Sequence, residues 1–310
     1  MLITYSVIRC MPASFVDTKV QQKVQSAGNT KSAEEWKAEL NKVYGLDCGI
    51  LEGYFRWLGN AFTGQFGESW YWSVPVTQKF GDVIGYSFAL NVVTLLVEFF
   101  IGVPLGILAA RKQYGTTDYV ITVFALACIS LPTFFLATMF KYIFAMKLKW
   151  LPLYGLKGKE FGMHGFFYDV GDLAAHLALP VITLTMLSIG GIMRYTRTNM
   201  LEVMNSDYIR TARAKGLPEK KVINVHAFRN TLIPLVTLMS GLLPSMFGGA
   251  MITETMYQIP GIGYVSYQSI LQGDIPFAMF YTAFILILTL VSLILTDILY
   301  AVVDPRVRAN

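Results

Sequence analysis

Residues Asn205–Pro234 read NSDYIRTARAKGLPEKKVINVHAFRNTLIP, a polar, basic interruption between two long apolar runs. From Arg194 to Arg229 the chain carries eight Lys/Arg, at 194, 197, 210, 213, 215, 220, 221 and 229, against three acids at 202, 207 and 219. That excess of +5 equals the net charge of all 310 residues, so the rest of the chain sums to zero. Asn205, Ser206 and Asp207 offer side-chain oxygens of the kind that cap a helix N-terminus. Tyr208 to Lys215 holds good helix formers. Gly216 suits a left-handed stop, and Pro218 fits the first turn of a following helix. The stretch therefore predicts one short capped helix, then a second running through Phe228 into the apolar run at Leu232. On the first helix Tyr208, Ile209 and Ala212 share one face, and Arg210 and Arg213 another. Small Ala212, Ala214 and Gly216 suit close packing against a partner surface. The alternative is an amphipathic helix lying on anionic lipid.

Composition sets the wider class. The chain is 54% apolar and 15% charged, with mean hydropathy +0.50, where a soluble domain carries roughly 25% charged residues. That deficit points to a membrane protein, whose lipid-facing surface needs no charge. A sequence pI near 8.9 raises nucleic acid as a partner. Basic residues gathered at membrane borders account for it better, so no nucleic acid is expected. Cys10, Cys48 and Cys128 have no metal or redox spacing. Cys10 and Cys48 lie in segments expected outside the cell, where they could pair.

Five apolar runs are each long enough to cross a bilayer: Ser87 to Ala110, Tyr119 to Met146, Leu173 to Met193, Leu232 to Met256 and Phe277 to Val303. Met1 to Cys10 is too short to span and is expected to be the last part of a first span. Residues 11–82, with seven Lys/Arg against eight acids, predict a small helical extracytoplasmic domain. Within it, Ser32-Ala-Glu-Glu35 is a capping box, Gly45 suits a helix stop, and Leu51 to Phe62 is amphipathic. The aromatics of ESWYW (68–72) fit a membrane interface. The loops at 111–118 and 194–230 and the C-terminal tail are basic and fall on one side, which the positive-inside rule makes cytoplasmic. Residues 83–310 form the expected transmembrane domain, with its cytoplasmic loop at 198–231.

Charges inside the runs are costly in lipid and mark candidates for function. Glu98 reads equally as a pore-lining group or as a helix–helix partner. Asp297, near a run's cytoplasmic end, reads as structural, and Lys141 as snorkelling to the interface. There is no HExxH, GxSxG or GxxxxGK[ST] sequence, so neither hydrolytic chemistry nor a phosphate-binding loop is expected in this chain.

Tyr208-Ile-Arg-Thr-Ala-Arg-Ala-Lys-Gly216, followed by His226-Ala-Phe-Arg-Asn230 and Pro234, resembles the EAA loop of ABC importer permeases, in the wording of the oligopeptide/dipeptide (OppB/DppB) branch. Further segments resemble that branch in the same order: Tyr44-Gly-Leu-Asp47, Tyr54 to Asn60, Gly64-Gln-Phe-Gly67, Pro75-Val-Thr77, Trp150-Leu-Pro152, Glu254 with Ile259-Pro-Gly-Ile-Gly263, and Asp297 with Tyr300 and Asp304-Pro-Arg306. The glutamate of the generic EAA pattern is replaced here by Arg210, as is usual for this branch. The resemblance implies an all-α polytopic membrane protein of the type I ABC importer permease fold, with five full transmembrane helices after a truncated first span. It implies a multi-pass protein of the inner (cytoplasmic) membrane, in contact with membrane lipid and with its C-terminus in the cytoplasm. Function would be that of a non-enzymatic subunit of a binding-protein-dependent peptide importer. Implied partners are a second permease subunit, two ATPase subunits and an extracellular substrate-binding protein. No cofactor is expected in the chain itself, since ATP and Mg would be bound by the ATPases. Coupling to them falls on Asp207, Tyr208, Arg210, Ala212, Arg213, Ala214, Lys215 and Gly216. Candidates for the translocation pathway are Asn91, Glu98, Met246 and Glu254. Nickel, haem or glutathione importers use similar permeases, and a secondary transporter working through intramembrane charges is the reading from another class.

Overall fold

The computed structural model describes residues 1–10, 32–43, 47–231 and 242–303, with Val16, Asp17, Val20, Gln21 and Val24 between the first two. Their regular structure is helical. The chain runs α1 (Leu2–Arg9), α2 (Ala33–Val43), α3 (Ile50–Phe62), α4 (Val76–Arg111), α5 (Thr116–Ser130) and α6 (Thr133–Phe140), which passes into a π-helical turn at Lys141–Lys147. Next come α7 (Phe166–Met204), α8 (Asp207–Ala214) and the short α9 (Glu219–Lys221), itself prolonged by a π-helical turn at Val222–Ala227. The last elements are α10 (Leu243–Gly248), α11 (Met251–Tyr257), α12 (Ile262–Leu271) and α13 (Ile275–Val303).

Among the described residues three helices are long and apolar enough to cross a membrane: α4, α7 and α13. The pair α5 and α6 passes the same test but is bent by 103°. Pro132 falls inside the expected continuous run Tyr119 to Met146. In the structure Leu131 and Pro132 are extended and the helix restarts at Thr133, because proline lacks the N–H and disfavours helix in the residue before it. The expected span Leu232 to Met256 also needs correction. Residues 232–241 lie outside the described part. Residues 242–256 form two short helices, α10 and α11, parted at Gly249 by a φ of +72°. At the other end of this segment the chain is already helical from Glu219 to residue 231.

Helices α4 and α7 form the centre of the bundle. A Cβ on Gly106 would meet the Met193 carbonyl and Thr196 Cβ, each at 2.7 Å, and one on Gly102 would meet Ile192 at 3.1 Å. This small-xxx-small spacing lets the two backbones approach closely. Around the contact sit Ala109, Ile121, Ala125, Cys128, Ile189 and Met193.

The Ser32 and Glu35 capping box forms as read: Glu35 N–H donates to Ser32 Oγ at 3.2 Å and Ser32 N–H to the Glu35 carboxylate at 2.9 Å. The expected stop at Gly45 lies outside the described residues. The expected boundary at residue 82 falls inside α4, which begins at Val76. Cys10 and Cys48 are free thiols; the two segments meet instead through Arg9, whose Nη2 donates to the Cys48 carbonyl at 2.6 Å. ESWYW, read as an interface belt, acts as a hook. Buried Asp274 accepts hydrogen bonds from the Ser69 hydroxyl, from Trp70 N–H at 3.1 Å and from Tyr71 N–H at 3.3 Å. This fastens the hook to the start of α13. Burial pushes the Asp274 carboxyl up, and these hydrogen bonds oppose that shift. Lys141, expected to snorkel, donates from its Nζ to the Met256 carbonyl at 2.7 Å, near the end of α11.

Candidate functional site

Helix α8 stands on a buried base. Ile209 and Ala212, one turn apart, pack with Ala110 of α4, Met200 of α7, and Val222, Ile223 and Ala227 of the π-helical turn. Asp207, Tyr208, Arg210, Arg213, Ala214, Lys215 and Gly216 are exposed. Seven of the eight residues expected to couple thus form one accessible surface. The eighth, Ala212, is 8% exposed and belongs to the internal seat, so its small size serves packing within the chain. Tyr208, expected on the face of Ile209, is 49% exposed, while Ile209 is fully buried. Successive helix residues point about 100° apart, which separates these neighbours.

The cap also differs from the sequence reading. Ser206 occupies the N-cap position but makes no side-chain cap bond. Its hydroxyl donates backward to the Val203 carbonyl at 2.6 Å, closing the end of α7. The turn after α8 is as read. Gly216 has φ +70°, where an L side chain is strained, and Pro218 precedes α9. Across this turn Arg213 donates to Glu219 through Nη2 at 2.8 Å and Nε at 3.3 Å. That hydrogen bonding holds the Glu219 carboxyl below its ordinary value of 4.5 and raises the Arg213 guanidinium.

A second clamp lies nearby and was not legible in the sequence. Arg197 of α7 grips Asp118 of α5 with two hydrogen bonds, 2.6 and 2.7 Å long. Asp118 also accepts from Tyr114 N–H at 3.0 Å. The Asp118 side chain is only 6% exposed.

Three of the four pathway candidates come together. Asn91, Glu98 and Met246 line one cavity of about 250 Å³ between α4, α7 and α10. Thr94, Ser188 and Ser245 line it too. The available signal for Thr94 was its position on the same helical face as Asn91 and Glu98, at spacings of three and four. Glu254 is separate. It is fully buried and accepts hydrogen bonds from Ser87 Oγ (2.7 Å), Ala250 N–H (2.9 Å) and Tyr264 N–H (2.9 Å). A Cβ on Gly261 would lie 2.5 Å from its carboxylate. The Pro-Gly-Ile-Gly run therefore leaves room for an internal carboxylate that ties α4, α11 and α12 together.

A helical membrane bundle with an exposed, braced loop helix between two of its segments defines a transport-type integral membrane component. Residues 102–309 match the family described as binding-protein-dependent transport system inner membrane component, and the chain belongs to that family. It is 31% identical to the oligopeptide transport system permease protein AppB of Bacillus subtilis (strain 168), over 99% of this chain and 93% of that protein. It is 33% identical to the dipeptide transport system permease protein DppB of Lactococcus lactis subsp. cremoris, over 90% of this chain and 88% of the relative. A second protein of that name, from Alkalihalophilus pseudofirmus, is 31% identical over 99% and 94%.

Proposed function

We propose that the chain is one of two permease subunits of an ATP-driven, binding-protein-dependent peptide importer. The peptide class rests on the names of the relatives, which are oligopeptide and dipeptide permeases. The observation that carries the mechanism is α8, an exposed helix on a buried base that touches both central helices. In this reading the basic side faces the cytoplasm, and one of the two ATPase subunits, which bind ATP and Mg, docks on Asp207, Tyr208, Arg210 and Arg213 to Gly216. Closure of the ATPases displaces α8. Ile209 and Ala212 pass the displacement to α4 through Ala110 and to α7 through Met200, while the Arg213–Glu219 pair carries it into α9. Packed side chains transmit such a shift because interiors are close-packed. An extracellular binding protein delivers the peptide to a path lined by Asn91, Glu98 and Met246, and ATP is hydrolysed by the partners.

The test is uptake of a labelled peptide by proteoliposomes holding the whole assembly. The Tyr208→Ala and Arg210→Glu variants are expected to assemble and insert normally but to lose peptide-stimulated ATP hydrolysis. Full stimulation in both would refute the docking role of α8.

A further inference from the structure

The cavity between α4, α7 and α10 offers a bound molecule far more acceptors than donors. Thr94 Oγ1 donates to the Leu90 carbonyl at 2.8 Å and Ser245 Oγ to the Leu242 carbonyl at 2.6 Å, while Ser188 Oγ, 3.0 Å from the Leu184 carbonyl, also hydrogen-bonds the Glu98 carboxyl. Asn91 Nδ2 donates to the Met246 carbonyl at 3.2 Å, and its amide oxygen is a further acceptor on a residue that lines the cavity. Glu98, 7% exposed, adds a carboxylate. Among the described residues the lining holds no Lys, Arg or His; the remainder is Leu95, Leu184, Leu187, Leu242 and Met246. A carboxylate removed from water either takes up a proton or is stabilised by a cation or by several donors, and the described lining supplies no cation there.

We propose that this cavity receives a cationic nitrogen, the α-ammonium of a transported peptide, and that Glu98 is the group that reads it. The inference rests on the peptide-importer reading. The α-ammonium is the cation every unmodified peptide carries, and about 250 Å³ holds the end of a peptide rather than its length. An ammonium has three N–H donors, which match the Glu98 carboxylate, the Asn91 amide oxygen and a hydroxyl lone pair. A peptide's carboxyl end finds no cation in this lining and is disfavoured by Glu98. The site thus assigns a polarity: the peptide enters this half of the path amino end first.

The test uses the complete importer in proteoliposomes, supplied with binding protein loaded with either trialanine or N-acetyl-trialanine. Rates are expressed per loaded binding protein, so that its own preference drops out. The native assembly is expected to move trialanine about tenfold faster than its acetylated form, the discrimination expected of one charge-assisted contact. In Glu98→Gln the ratio falls to about one, through loss of trialanine transport. A ratio unchanged by Glu98→Gln overturns the assignment. Asn91→Asp, which adds a second carboxylate, gives an independent arm: it is expected to raise the ratio, and a fall or no change overturns the assignment equally. If the native assembly moves neither peptide, the peptide-importer reading itself falls, and this inference with it. That outcome is distinct from transport without discrimination, which removes only the role of Glu98.

Discussion

Arg197 and Asp118, 79 residues apart, form a two-pronged ion pair that locks α5 to α7 about two turns before α7 ends at Met204. Removing one partner leaves the other charge with little water around it, and breaking such a pair costs about 3 kcal/mol. Asp118→Asn and Arg197→Leu are each expected to lower the thermal midpoint of the purified protein markedly. The double variant Asp118→Leu/Arg197→Leu should recover most of the loss, because no orphan charge remains. Equal losses in the single and double variants would show the pair to be energetically idle.

Glu254 and Glu98 are both buried carboxylates, but Glu254 is held by three donors inside the bundle, whereas Glu98 lines a cavity. Glu254→Ala strips three donors of their acceptor, and unsatisfied buried donors together cost about 3 kcal/mol. The expected result is poor accumulation and protease-sensitive α11 and α12. Normal accumulation and stability in Glu254→Ala would contradict the bracing role.

The Arg213–Glu219 pair has a pH signature. Glu219 has a lowered pKa in the folded chain, first because Arg213 hydrogen-bonds it. The pair's stabilisation is therefore fully present above the ordinary value of 4.5 and is lost as pH falls through the lowered folded value. Both side chains are substantially exposed, so the effect is about 0.5 kcal/mol. Glu219→Gln should sit slightly below the native protein in thermal midpoint at neutral pH and converge with it at acid pH. A gap that widens on acidification would reverse the assignment.

Gly216 holds a left-handed backbone between α8 and α9. Gly216→Ala keeps the turn at a strain of about 1 kcal/mol and should lower transport only modestly. Gly216→Pro cannot adopt that φ and should abolish uptake and ATPase stimulation while leaving membrane insertion intact. Ala212→Asp should give the same phenotype by a different route, since it forces a carboxylate against Ile209 and Val222 in the seat of α8. Retained transport in both variants would disprove the rigid-seat account.

The parts of the fold legible in the sequence are those fixed by local chemistry. Gly216, Pro218 and the Ser32–Glu35 box each act within a few residues, and the apolar runs over α4, α7 and α13 announce themselves by length. Where two local signals competed, the sequence could not arbitrate. Ser206 had a free N-cap ahead of it and a carbonyl behind it, and took the carbonyl. Long-range pairings were invisible in principle: Asp118 with Arg197, Asp274 with Ser69, and Lys141 with the Met256 carbonyl all depend on the packing of distant helices. The candidate site was half legible. Asn91, Glu98 and Met246 line one cavity, whereas Glu254 is hydrogen-bonded among α4, α11 and α12. Ala212 looked like a contact residue because it is small, but smallness does not say which side of the helix is covered.

The central claim is that α8 transmits ATP-driven motion into the bundle, and cross-linking tests it most directly. A cysteine at Tyr208 or Lys215, in the whole assembly and with the native Cys10, Cys48 and Cys128 replaced by serine, is tethered to the docked ATPase subunit and then followed through a round of ATP addition. The account predicts a cross-link to the ATPase in high yield, with peptide transport blocked by a short tether and restored on its reduction. The absence of any cross-link from either position, in an assembly that still transports peptide on ATP addition, would contradict it.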